Sequence, residues 1–245
     1  MSANYKDYNY QDPSFPISEQ KLSEIFSGVM QRVYGWMALG LLITTLVSFY
    51  VSTSPRILFF VFSNFWITIA LFVVQIGLVI AVTRSVSKMA PGKALAMFFI
   101  YSALNGLTLS IIFLAYDIGV VFLAFGATTL LFIIMAVVGL TTKEDLTKWG
   151  PILLFGLIGL IIASVLNFFF ASTVLDAIIT YVGILIFLAL IVYDNNQIKK
   201  MTYQTAAAGQ ADATVVSTIG VLGALKLYLD FVNLFLLILR LFSRR

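Results

Sequence analysis

Six stretches of this chain carry no charged residue and are long enough to cross a bilayer: residues 33–55, 57–83, 94–116, 118–142, 149–175 and 177–193. The hydrocarbon core of a bilayer is about 30 Å thick and takes roughly 20 apolar residues of helix to cross, with a range of about 17 to 25. Lipid offers no water to an exposed backbone, so a spanning segment has to be a helix or a strand of a closed barrel. Barrel strands read as about ten residues of alternating polarity, and the six windows show no such alternation. A seventh apolar stretch, about 217–240, differs in holding Lys226 and Asp230 inside it. The expectation is an all-α integral membrane protein with seven transmembrane helices over 33–245, preceded by a cytoplasmic tail over 1–32.

Composition narrows the chemistry. Apolar residues make up 61% of the chain, against 11 acidic and 15 basic side chains in 245 residues. A soluble domain is about 25% charged, so these charges are too few to cover a water-facing surface. Histidine and cysteine are both absent, which removes Ser-His and Cys-His nucleophiles, imidazole or thiolate zinc sites, disulfides, Fe–S clusters and the usual haem ligands. A rhomboid-type serine protease would lack its base. Proton or metal chemistry falls to Asp, Glu, Lys, Tyr and backbone oxygen, which suit hard cations or protons. The chain is thus expected not to be an enzyme, to hold no cofactor, and to have membrane lipid rather than nucleic acid as its surroundings.

Orientation follows from Lys and Arg counted over short loops. Lys6, Lys21, Arg32, Arg84, Lys88, Lys93, Lys143, Lys148, Lys199 and Lys200 fall on one side, against Arg56, Arg240, Arg244 and Arg245 on the other. The N-terminus is expected to be cytoplasmic, although a seven-span chain then places its basic C-terminus outside. The first 32 residues do not read as a signal peptide, because Asp7, Asp12, Glu19 and Glu24 stand where a basic region belongs. Residues 5–16 have the composition of a disordered tail. Ser18 is placed to N-cap a helix whose Leu22, Ile25, Phe26, Val29 and Met30 share a face. That helix either lies on the membrane surface or extends the first span. The longest connection is expected at about 200–216, MTYQTAAAGQADATVVS.

An ionisable group inside the bilayer costs at least ~2.5 to 3.5 kcal/mol on insertion scales, so it usually faces a partner or a watery path. Asp230 lies inside the seventh span and Asp194 near the inner end of the sixth, in FLALIVYDNNQIKKM. Consecutive antiparallel helices would bring both toward the cytoplasmic half. Two like charges at close range cannot both ionise cheaply, so a pair would share a proton and sense pH without histidine. Two blander readings compete: Asp194 capping its helix in headgroup water, and Asp230 paired with Lys226 one turn earlier. Such a pair would neutralise the site unless Lys226 snorkels to the interface. Arg84, at the inner end of the second span, is a second possible charge partner. Asn105, Asn167, Asn233, Gln75 and Thr128 either line a path or bond between helices.

The text around the two aspartates is distinctive. GALKLYLDFVNLFLLILRLF resembles the last helix of the Bax inhibitor-1 family, also called the transmembrane Bax inhibitor motif family, and VYDNNQIKK is similar to its sixth-helix motif. NGLTLSIIF, FGATTLLF and DLTKWGPILLFGLIGLIIASVLNFFF resemble its third to fifth helices, so the similarity covers about residues 20–245. The resemblance implies six helices wrapped around a central C-terminal helix, and a pH-sensitive calcium leak closed by a carboxylate pair. Asp194 and Asp230 match that pair, as pH sensor and as the residues that would meet calcium. The implied basic residue at the end of helix two is Arg84. Lys226 departs from the small polar residue expected before LYLDF and bears directly on the calcium role. Bacterial members also resemble a modulator of a membrane-bound AAA protease, a role requiring no permeation. From short loops and the lack of targeting extensions, the expected location is a bacterial inner membrane. An intramembrane aspartyl protease would need glycines beside its second aspartate and a following PAL motif, where this chain reads LYLD and has no PAL in residues 231–245.

Overall fold

The computed structural model describes residues 18–85 and 90–243. Expectations for the tail over 5–16, and for Lys6, Lys88, Arg244 and Arg245, fall outside them. Among the described residues the chain is helical throughout. Its elements are α1 (Glu19–Ser52), α2 (Pro55–Phe62), α3 (Phe65–Ser85), α4 (Pro91–Leu109), α5 (Ile112–Ala115), α6 (Ile118–Thr141), a 3-10 turn (Leu146–Lys148), α7 (Trp149–Phe170), α8 (Thr173–Ala207) and α9 (Ala213–Phe242). Seven of these segments are long and apolar enough to cross a membrane: α1, α3, α4 with α5, α6, α7 with its 3-10 turn, α8 and α9. Outward side chains include Phe59 on α2 and, on the spans, Trp66, Phe122, Phe155 and Phe168–Phe170, each more than two-thirds exposed. This is a surface for lipid rather than water.

Local chemistry explains the ends of these helices. Ser18 caps α1 through a 3.4 Å bond accepted from the Lys21 backbone N–H. The helix then runs unbroken to Ser52, so the segment beginning at Ser18 is an extension of the first span. The charge-free window 57–83 is not one helix. Ser63 and Asn64 interrupt it, and Asn64 Oδ1 accepts from the backbone N–H groups of Trp66 and Ile67, starting α3. The α7–α8 turn is closed by Ala171 in the left-handed region, at φ 48°, with its N–H bonded to the Asn167 carbonyl. Asn167 Oδ1 accepts from the Ser172 N–H, and Ser172 Oγ from the Leu175 N–H.

The sixth span departs furthest from expectation. Instead of ending near residue 193, α8 continues to Ala207, and the connection shrinks from about 200–216 to residues 208–212. MTYQTAAA is polar enough to read as a loop, yet Met, Gln and Ala are strong helix formers. The helix stops at Gly209, φ +67°, where Gly209 N–H bonds to the Ala206 carbonyl and Gln210 N–H to the Thr205 carbonyl. That is the Schellman pattern, which needs a residue with positive φ. Asp212 then caps α9 by accepting from the Val215 N–H at 2.8 Å. Gly209→Ala is accordingly expected to cost about 1 kcal/mol, read as a lowered thermal midpoint in detergent.

The chain forms two compact units. One holds residues 119–200 and 229–243, that is α6, α7, most of α8 and the second half of α9. The other holds residues 18–118 and 201–228. In the second unit α1 and α4 pack most closely, because Gly40 faces the Phe98 ring and Gly106 faces the Thr44 carbonyl. In the first unit Gly183 of α8 lies against Leu237 of α9, and Gly139 of α6 against the Val192 carbonyl. Of the spans, α9 is the most enclosed: 61% of its apolar window is buried, against 6–39% elsewhere.

Candidate functional site

Asp194 and Asp230 belong to the same unit. Both are buried, at 7% and 5% exposure. Asp194 is not at a helix end. It stands thirteen residues before Ala207, inside α8, so a capping role in headgroup water does not apply.

Neighbouring contacts fix how the two helices register. Gly183 packs on Leu237. Asp194 lies eleven residues beyond the first and Asp230 seven before the second, about 16 and 10 Å along antiparallel axes. The carboxylates therefore stand within about two turns of one another in depth. α6 packs its aromatic rings on α9. Its Phe125 and Phe132 stack edge-on against Phe231 at 5.5 and 5.6 Å, and Phe125 also meets Phe235 at 6.2 Å. Burial in a low-dielectric interior strengthens whatever charge interaction these carboxylates make. Among the described residues no three acidic side chains gather. Two carboxylates alone fall short of the six to eight oxygens of a resident calcium cage.

The other sequence candidates take simpler positions. Arg84 is exposed in the last turn of α3, where its charge complements the negative end of the helix dipole. Lys226 is half-buried on α9, four residues before Asp230. Asn233 donates to the Leu229 carbonyl of its own helix at 2.8 Å. Thr128 likewise donates back to Ala124 at 2.7 Å, and Gln75 donates to the Leu104 carbonyl at 3.0 Å. These are bonds within and between helices, the more ordinary use of such residues.

Asn105 has a more specific place. Its Nδ2 donates to Tyr228 Oη at 2.8 Å, and Tyr228 Oη lies 2.6 Å from Thr44 Oγ1. Thr44 has a single hydroxyl proton, and the carbonyls of Gly40 and Ser102 stand 3.0 and 2.9 Å from its oxygen. Since Asn105 already donates to Tyr228, the consistent arrangement has Tyr228 donating to Thr44 and Thr44 donating to the two carbonyls. The Tyr228 ring is fully buried and meets Phe98 and Tyr101 edge-on at 5.5 and 5.8 Å. This knot joins α1, α4 and α9 within one unit. The sequence leaves Asn105 either on a path or in a bond between helices, and the bond is what the structure has; Thr44 and Tyr228 were missed. The available signal was the hydroxyl: a tyrosine in the middle of a span has to find a partner for it.

Outside the spans, Asp145 receives the hydroxyl and backbone N–H of Thr147 at 2.6 and 3.1 Å and the Lys200 ammonium at 3.2 Å. The Thr147 bonds, with a smaller contribution from Lys200, hold its carboxyl below the usual carboxylate range. A lowered folded-state value stabilises the fold above the ordinary pKa, and the effect is lost as pH falls through the lowered one. Asp145→Asn is therefore expected to lower the thermal midpoint slightly at neutral pH, with the difference from wild type vanishing in acid. A difference that persisted unchanged in acid would rule the charge out as its cause.

Residues 27–245 match the model of the family described as inhibitor of apoptosis-promoting Bax1. The chain is 39% identical to inner membrane protein YbhL of Escherichia coli over 216 residues, 88% of this chain and 91% of the relative. It is 41% identical to an uncharacterized protein of Borreliella burgdorferi over the same shares. To one of Deinococcus radiodurans it is 31% identical, across 94% of this chain and 96% of the other. With the family model covering all seven apolar helices, the chain belongs to the Bax inhibitor-1 family of membrane proteins.

Proposed function

We propose that this protein is a pH-sensitive calcium leak of the bacterial inner membrane, gated by a proton shared between Asp194 and Asp230. The observation that carries the reading is the burial of both carboxylates in one unit, on α8 and α9, within about two turns in depth. One shared proton leaves the pair a single negative charge, bridged by a hydrogen bond that holds the helices together. When pH rises the proton leaves, the two charges repel, α9 shifts, and calcium passes with brief contacts to the exposed carboxylates. Proton and calcium then compete for the same oxygens. Lys226, one turn from Asp230, tunes that competition by its charge. The inner-membrane placement is supported by the name of the Escherichia coli relative, and the Lys and Arg distribution supports a cytoplasmic N-terminus. No enzymatic step is part of this reading.

The experiment is calcium entry into proteoliposomes over a range of pH. Wild-type entry is expected to be low in acid and to rise through neutrality, and Asp194→Asn and Asp230→Asn are each expected to flatten that profile. Unaltered wild-type behaviour in both variants would remove the pair from the mechanism. No entry at any pH would leave the alternative role, restraint of a membrane-bound AAA protease, for which co-purification is the assay.

A further inference from the structure

Asp194 sits in a stretch of α8 that is fastened to α6 on both sides. Val192 and Asn195 flank it, and both press on Gly139: a Cβ added there would lie 2.5 Å from the Val192 carbonyl oxygen and 2.8 Å from Asn195 Cβ. One turn further along α8, Lys199 Nζ donates to the Leu140 carbonyl at 2.7 Å. Leu140 is in the last turn of α6, where carbonyls lack a helical partner and the helix carries partial negative charge. An ammonium there satisfies an orphan acceptor and offsets that charge. The next residue, Lys200, fastens the following loop through Asp145 and Thr147 Oγ1, at 3.2 and 2.8 Å. The charged groups of α6's end and its loop are Lys143, Glu144 and Asp145, and those of α8 here are Asp194, Lys199 and Lys200.

We propose that Lys199 is a positioning residue that, with Gly139, clamps the Asp194-bearing segment of α8 to the end of α6, making Asp194 the fixed member of the carboxylate pair. The proposal rests on the reading of Asp194 and Asp230 as the gate. Under it, opening moves Asp230 away from an Asp194 that stays in place. The clamp is specific in its chemistry. It needs a backbone-close glycine on α6 and a cation of lysine's reach on α8, and losing either should free the segment.

The chain has no cysteine, so pairs introduced at Val137 on α6 and Leu185 on α8, both exposed, carry spin labels without background. Lys199→Met keeps the stem and removes the charge, while Lys199→Arg restores a donor. Lys199→Met and Gly139→Ala are expected to shift and broaden the label distance distribution, and Lys199→Arg to leave it as in wild type. In proteoliposomes at an acidic pH where wild type is closed, Lys199→Met is expected to raise calcium entry several-fold and Lys199→Arg not to. Unchanged distances in both Lys199→Met and Gly139→Ala overturn the clamp. Shifted distances with unchanged calcium entry, in a wild type that conducts, overturn the positioning role and leave a merely structural contact. If wild type conducts no calcium, the gate reading fails by itself, and the distances still decide whether the clamp exists.

Discussion

Replacing Tyr228 with alanine is expected to lower the stability of the folded protein in detergent by about 3 to 5 kcal/mol, the range for truncating a fully buried aromatic side chain. The ring is enclosed by Phe98 and Tyr101, and neither can fill the space it leaves without giving up its own packing. Tyr228→Phe isolates the hydroxyl. It keeps the ring and strands the Asn105 amide and the Thr44 oxygen. Bonds between membrane helices average roughly 0.6 kcal/mol, with model peptides at about 1 to 2, so the phenylalanine variant should lose about 1 kcal/mol. Thr44→Ser should fall near wild type because it keeps the hydroxyl, and Thr44→Val near Tyr228→Phe. Equal losses in Tyr228→Phe and Tyr228→Ala would mean that the hydroxyl, and not the ring, dominates the knot.

The second large effect belongs to Gly106. A Cβ there would meet the Thr44 carbonyl oxygen at 2.6 Å and Val47 Cβ at 2.9 Å. A backbone oxygen cannot turn aside as a side chain can, so α1 and α4 must separate. Separation pulls Thr44 away from Ser102 and Tyr228, and the damage reaches the knot. Overpacking typically costs about 1 to 3 kcal/mol and occasionally more; with the knot also broken, Gly106→Val is expected to lie at or above the top of that range, with little folded protein recovered. Two comparisons show whether close approach is the cause. Gly40→Ala meets the edge of the Phe98 ring, which has some freedom to move, and should be milder. Gly77 on α3 has open space around it, so Gly77→Ala should be neutral or stabilising by up to about 1 kcal/mol. Thermal midpoints of the three purified variants order them.

Six charge-free windows and one apolar stretch holding two charges were sufficient to find seven apolar helices, because the hydrocarbon thickness dictates their length, whatever packs against them. They could not show the break at Ser63 and Asn64, since hydropathy is blind to an asparagine whose side chain caps a new helix. Nor could they show α8 continuing past residue 193. Its polar end reads like a loop, and its helical state depends on alanines, a glycine stop and the Asp212 cap acting together. The two aspartates stood out in sequence because charge inside a span is costly. Tyr228 did not, because 22 phenylalanines and 11 tyrosines supply the same letters to lipid-facing surfaces and to the core alike. What separates Tyr228 from them is the partner of its hydroxyl, contributed by residues more than a hundred positions away.

The length of α1 has a mechanical consequence. Its 34 residues make a rod of about 51 Å, against a hydrocarbon layer of about 30 Å, so roughly two turns or more of it stand in water or headgroups, carrying Glu19, Lys21 and Glu24. No loop separates that overhang from Gly40 and Thr44 in the middle of the same helix. A push on the overhang from the aqueous side is thus delivered as leverage at the crossing with α4, with the membrane surface as its fulcrum.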